Sequence, residues 1–169
     1  AKAAYLEEAI VRRELSFNFT RFNTNYDSLA ALPAWALKTM REHSEDTRPE
    51  VYEPEQIEAG QTSDELWNAA QHELIHTGEI HNYVRMLWGK RVIEWQPNYE
   101  AAFAVLEHLN NKYALDGRDP NSYAGILWCF GKHDRAWGPE RPVFGKLRYM
   151  TSRSMGRKFE AKAYIARFL

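Results

Sequence analysis

Apolar residues recur along this chain at the three-to-four spacing of helices, and no segment shows a convincing run of strand-like alternation. That periodicity predicts an all-α fold. Tyr5, Leu6, Ile10 and Leu15 mark a first amphipathic segment, and a second spans Leu29 to Arg41. Glu42 to Glu55, with Pro49 and Pro54 among many charges, reads as a surface loop, and Glu55 to Ala59 as a helical turn. Thr62-Ser63-Asp64-Glu65 offers N-cap chemistry to a helix running through Trp67 to about Ile75. Thr77-Gly78 interrupts it, and a further helix continues to about Trp95 before Pro97 stops it. Tyr99 to Tyr113 is again helical, followed by the turn-rich LDGRDPNSYAG and the apolar ILWCF. Gly and Pro punctuate a loop from Gly131 to Pro142, with a short hairpin allowed near 140–150, and a last short helix carries Phe159, Tyr164, Ile165 and Phe168.

At 169 residues, with 44% hydrophobic and 27% charged side chains, the chain has the material for one globular core. The single cysteine, Cys129, excludes an internal disulfide and suits a reducing, intracellular compartment. The N-terminal AKAAYLEEAIVRREL is too charged for a signal peptide or membrane span. A net charge of −1 hides a strong asymmetry: residues 1–129 carry 12 basic and 20 acidic side chains, whereas residues 130–169 carry 10 and 3. The basic tail suits a polyanion, or simply forms a solvated surface.

The most compact motif is His72-Glu73-Leu74-Ile75-His76, which matches the H-E-x-x-H of zinc peptidases. The extended form of that motif needs Gly at 79 and His at 82, where this chain has Glu79 and Asn82. Glu94 is a distant candidate for a third ligand. A metal is therefore not expected, and the zinc reading ranks third.

Three strings carry a different message: ELWNAAQHELIHTGEIHNYVRMLWGKRVIEW (65–95), LNNKYALDGRDPNSYAGILW (109–128) and HDRAWGPERPVFGKLRYM (133–150). In order and spacing they resemble class II cyclobutane pyrimidine dimer photolyases, and YLEEAIVRREL and NYDSL extend the likeness over nearly the whole chain. The resemblance implies the C-terminal part of a helical FAD-binding catalytic domain over residues 1–169. An upstream antenna domain, with any antenna chromophore it carries, and the first part of the flavin domain would lie outside this stretch.

Several residues acquire roles through that resemblance. Arg85 and Asp116 match an ion pair beside the flavin ring, Asn110 an amide facing flavin N5, and Asn82, where many class II members have Gly, a second polar contact. Without it, the pair reads as a structural salt bridge and Asn110 as an ordinary helix C-terminal residue. Trp88, Trp67 and Trp95 match a chain of electron carriers; each alone reads as core. Trp88 and Trp95 would share a helix face about 10.5 Å apart along its axis, with Trp67 bridging from a neighbour. Met86 and Trp128 match the walls of a pocket for a flipped-out dimer, and Glu8 a carboxyl for the dimer's carbonyls, with Glu7 in competing register. Arg135, Trp137 and Arg148 match the segment that grips the DNA backbone, with Lys132 and His133 assisting.

The implied activity is light-driven repair of cyclobutane pyrimidine dimers by electron transfer from reduced FAD, performed by the parent enzyme as a monomer on damaged DNA. No Gly-rich phosphate loop is present, so residues upstream would hold part of the FAD diphosphate. The rival is a cryptochrome-like flavin photoreceptor that keeps the tryptophans but signals through partners.

Overall fold

The computed structural model describes residues 2–157 and 159–169, apart from the side chains of Asn82 and Tyr83. The described part is helical and contains no strand; the expected hairpin reduces to one antiparallel bridge between Arg141 and Gly145. A turn of only three residues between the paired positions leaves no length for a ladder.

The first rod is α1 (Lys2–Leu6), a π-helical stretch (Glu7–Arg12) and α2 (Arg13–Phe22), continuous in backbone conformation. A 3-10 turn (Leu29–Ala31) and α3 (Ala34–Glu42) follow. The segment expected to be one helix breaks at Leu32 because Pro33 disfavours helical geometry in the residue before it and holds Leu32 extended. Next come α4 (Pro54–Glu58), α5 (Glu65–Thr77), α6 (Asn82–Trp95), α7 (Tyr99–Tyr113), α8 (Pro120–Cys129), α9 (Ser152–Met155) and α10 (Ala161–Phe168).

The ends of these helices are written in local chemistry. Asp64 accepts the Trp67 backbone N–H at 3.2 Å, Asn98 that of Ala101 at 2.7 Å, and Asp119 that of Asn121 at 2.8 Å ahead of Pro120. Gly78 closes α5 at φ 76°, a left-handed conformation that glycine adopts without penalty.

Helix α6 is the hub, packed on α5, α7, α8 and α9, while α10 lies on α5 and α2 on α8. Gly89 sets the α6–α8 distance: a Cβ there would lie 2.4 Å from Cys129 Sγ. The core joins Trp67, Trp95, Leu106, Leu109, Leu127 and Phe130, all essentially inaccessible. By contrast, Tyr5, Leu6, Ile10 and Leu15, the apolar marks of the first segment, are exposed. Among the described residues no helix is long and apolar enough to cross a membrane.

Candidate functional site

Indole contacts link α5 and α6 through the middle of the molecule. Trp67 lies parallel to Trp88, with centroids 6.3 Å apart and planes 1° apart, and meets Trp95 edge to face at 5.2 Å. Seven residues separate Trp88 and Trp95 on α6, so both face α5, and Trp67 lies between them from the neighbouring helix. Each ring is buried. Trp67 Nε1 donates to the Trp88 carbonyl at 2.9 Å, and Trp88 Nε1 donates to Gln71 Oε1 at 2.9 Å. Gln71 is itself fixed by donating to the Glu58 carbonyl at 3.0 Å. Trp95 Nε1 has no partner among the described residues, and the Arg91 guanidinium stacks 4.5 Å from its ring centre. Ion pairs with Asp64 and Glu94 hold Arg91 in place.

One helical turn before Trp88, Arg85 projects from the same side of α6. Its fork is bidentate to Asp116, Nη1 to Oδ2 at 3.0 Å and Nη2 to Oδ1 at 2.8 Å, and Nη2 also donates to Asn110 Oδ1 at 2.6 Å. Asn110 Nδ2 then donates to Ser122 Oγ at 2.7 Å, and both of these residues are buried. The amide of Asn110 is thereby oriented with its oxygen toward Arg85. The network fastens α6, α7, the 114–119 turn and α8 together while leaving Arg85 and Asp116 partly open to solvent.

Asp116 opens onto a groove of about 420 Å³ lined by Tyr5, Glu8, Ala9, Arg13, Asp119 and Asn121. The structure thus places Glu8 on the same groove as Asp116. Glu8 lies in the π-helical stretch, an irregularity that re-aims side chains along a rod. Asn82 opens α6, but its side chain falls outside the described residues.

Trp128 on α8 is half-buried beneath the first rod: the Arg12 guanidinium lies 4.9 Å from its ring centre and His133 meets it edge-on at 5.7 Å. Met86 on α6 is half-buried against the main core. His133 is pushed below the ordinary imidazole value by burial and by the charges of Lys132 and Arg12, so at neutral pH it adds polarity rather than charge. Lys132 itself donates to the Ala31 carbonyl at 2.8 Å and caps the Phe19 ring at 4.3 Å.

In the basic loop Trp137 is stacked by two guanidinium groups, Arg135 at 4.2 Å and Arg148 at 4.8 Å from its ring centre. Its Nε1 donates to Asp134 Oδ1 at 3.0 Å, and its backbone N–H to the Lys146 carbonyl at 2.9 Å. Val143 anchors the loop at φ 66°, strained for a β-branched residue. That conformation is held from two sides, by its N–H donating to Asp46 at 2.8 Å and its carbonyl accepting from Tyr99 Oη at 2.6 Å.

The zinc-like motif is committed to other work. His72 ring nitrogens face the carbonyls of Phe168 (3.0 Å) and Ala59 (3.2 Å), His76 Nδ1 faces the His72 carbonyl at 2.7 Å, and Glu73 accepts from Tyr164 Oη. The bonds to Phe168 and Tyr164 fasten α10 to α5. Among the described residues no cluster of three His, Cys, Asp or Glu side chains is arranged to hold a metal.

No protein-family model matches the chain. Over 163 residues, 96% of its length, it is 48% identical to the deoxyribodipyrimidine photo-lyase of Methanothermobacter thermautotrophicus. This chain belongs to the deoxyribodipyrimidine photo-lyase family. It is likewise 47% identical to the Oryza sativa photo-lyase over 164 residues and 45% identical to that of Potorous tridactylus over 161. It spans about a third of the length of these relatives, covering 36%, 32% and 30% of them.

Set against this photo-lyase relationship, the sequence motifs missed four residues that complete the constellation: Gln71, which holds Trp88; Ser122, which orients Asn110; Arg12, which covers Trp128; and Arg91, which covers Trp95. Gln71 and Arg91 had a sequence signal, since Gln71 sits one turn after Trp67 on a buried face and Arg91 one turn before Trp95 on α6. The other two contacts join separate elements, and nothing local marks them.

Proposed function

We propose that this chain forms the C-terminal part of the FAD-binding catalytic domain of a class II photolyase, whose parent protein repairs cyclobutane pyrimidine dimers in DNA with light. The observation that carries the reading is the indole series Trp88–Trp67–Trp95, which begins one turn from the Arg85–Asn110–Asp116 network.

The residues suit the ring system of a flavin. Arg85 offers a delocalised positive charge whose orientation is set by Asp116, and Asn110 offers an amide already fixed by Ser122. They suit its diphosphate less: the groove beyond Asp116 sets Glu8, Asp116 and Asp119 against the single cation Arg13. The phosphates are therefore held by groups elsewhere in the parent protein. Bound reduced FAD supplies the light absorption and the electron that splits the dimer.

The protein's own contribution is positioning and charge. Arg85 would hold a positive charge for the ring system, and the Trp88–Trp67–Trp95 contacts would offer the cofactor a path for electrons. Glu8 faces the groove where a dimer's carbonyls would be hydrogen-bonded, and Met86 and Trp128 supply apolar and aromatic surface for the extruded bases. Arg135, Trp137 and Arg148 form a rigid cationic and aromatic surface for the phosphate backbone.

The test is to illuminate the flavin-loaded full-length protein with DNA containing a defined thymine dimer and to count the dimers that remain. Light-dependent loss is expected. Unchanged dimer in the presence of bound reduced flavin refutes repair and leaves the photoreceptor.

A further inference from the structure

The turn beside the basic surface is shaped by residues outside it. Arg141 N–H donates to the Gly145 carbonyl at 3.2 Å and Gly145 N–H to the Arg141 carbonyl at 2.7 Å. Two residues of this turn are left-handed, Val143 at φ 66° and Gly145 at φ 51°. Directly after it, the Lys146 carbonyl accepts the Trp137 N–H at 2.9 Å, and Arg148 stacks on the Trp137 ring. Where the turn sits therefore decides where Trp137 and Arg148 sit.

Three groups hold the turn, from α3, from the bend that follows α3, and from α7. Thr39 Oγ1 accepts the Lys146 N–H at 3.0 Å, Asp46 Oδ2 accepts the Val143 N–H at 2.8 Å, and Tyr99 Oη donates to the Val143 carbonyl at 2.6 Å. Gly145 lies so close to α3 that a Cβ would come within 2.2 Å of Thr39 Oγ1. Asp46 is itself fixed, because His43 Nδ1 faces the same carboxylate oxygen at 2.7 Å. The Val143 N–H first, and His43 second, hold the Asp46 carboxyl below its ordinary range, so it is an ionised acceptor at neutral pH.

A β-branched residue leaves the left-handed region when nothing holds it there. Released, Val143 would let the turn swing and carry the Lys146 carbonyl away from Trp137. The stack of Trp137 and Arg148 would then be ordered only on binding, and that cost weakens affinity. Asp46 has the wrong charge to touch a phosphate, which separates the two ways it could act. As a nearby charge it would repel DNA, so its removal would tighten binding; as a positioning group, its removal would weaken binding.

We propose that Asp46 and Tyr99 are positioning residues for the DNA surface, gripping Val143 from its two backbone sides and so presetting the Trp137–Arg148 stack for the phosphate backbone. The proposal rests on the reading of Arg135, Trp137 and Arg148 as that surface.

The experiment measures binding of a fluorescent duplex containing one thymine dimer to the flavin-loaded full-length protein, by anisotropy across a salt series. Asp46→Ala should weaken binding about tenfold although it removes a negative charge, with the salt slope unchanged because no phosphate contact is lost. Asp46→Asn keeps an oxygen for the Val143 N–H and should bind within about twofold of the parent. Tyr99→Phe takes the donor from the Val143 carbonyl without altering any charge, and it should weaken binding as Asp46→Ala does. Unchanged or tighter binding in Asp46→Ala or in Tyr99→Phe overturns the proposal, and so does an Asp46→Asn variant as weak as Asp46→Ala. Arg148→Ala with unaltered affinity and salt slope overturns the DNA surface itself, which distinguishes that failure from the failure of Asp46 and Tyr99 to position it.

Discussion

Lys90 is a costly side chain to hold in the core. It is fully buried at the α6–α8 contact, and its ammonium donates to the Cys129 carbonyl. Burial dominates its ionisation, with Asp134 partly offsetting the loss and Arg148 adding to it, and the amine is lowered from 10.5 to about 8. Below pH 8 the folded protein carries a charge that it solvates poorly. The difference between about 8 and 10.5 corresponds to about 3 kcal/mol of stability missing at neutral pH. Between those values the unfolded chain binds a proton that the folded chain does not, so this contribution rises with pH across the window.

Lys90→Met keeps the length of the stem and removes the charge, and it also leaves the Cys129 carbonyl without its donor at a cost of about 1 kcal/mol. The variant is therefore expected to be more stable than the parent by about 2 kcal/mol at pH 7 and slightly less stable above pH 10. The assay is equilibrium urea unfolding followed by the fluorescence of buried Trp67 and Trp95, repeated across that pH range. The informative quantity is the variant-minus-parent difference, which cancels every other titrating group. A flat difference between pH 7 and pH 10 would refute the reasoning, because it would mean that Lys90 has the same charge in the folded state throughout.

Other expectations follow from the same geometry. Gly89→Ala should cost about 1–3 kcal/mol by pressing a methyl onto Cys129 Sγ, and Cys129→Ala in the same protein should restore much of the loss in a thermal melt. Glu58 is held below the ordinary carboxylate range by hydrogen bonds from Lys112 and Tyr113, both at 2.5 Å. The stability it lends is present above its ordinary value and lost as pH falls through the lowered one, so Glu58→Gln should flatten the acid side of the stability profile. Arg135→Ala and Arg148→Ala should each weaken binding of duplex DNA and make the plot of log affinity against log salt shallower by about one, measured by fluorescence anisotropy; an unchanged slope would remove these residues from the DNA surface.

The sequence by itself determined the helical class and the ends of α5 and α6, because Asp64, Gly78 and Pro97 act on their own neighbours; residues 120–125, expected as turn, instead open α8 behind the Asp119 cap. It also determined that Trp88 and Trp95 share one face of α6, since both lie on a single rigid helix. Family strings then nominated Arg85, Asn110 and Asp116, which the fold brings into one network. Only the tertiary structure decided that Trp67 fills the gap between the α6 indoles, that Ser122 orients Asn110, and that Glu8 reaches the Asp116 groove. It likewise decided that His72 and His76 are spent on backbone carbonyls, although their spacing suits a metal. The physical reason is range. Caps and periodicity act within a turn or two of helix, whereas a hydrogen bond or ring contact between distant residues depends on how whole helices pack, and no local pattern records that packing.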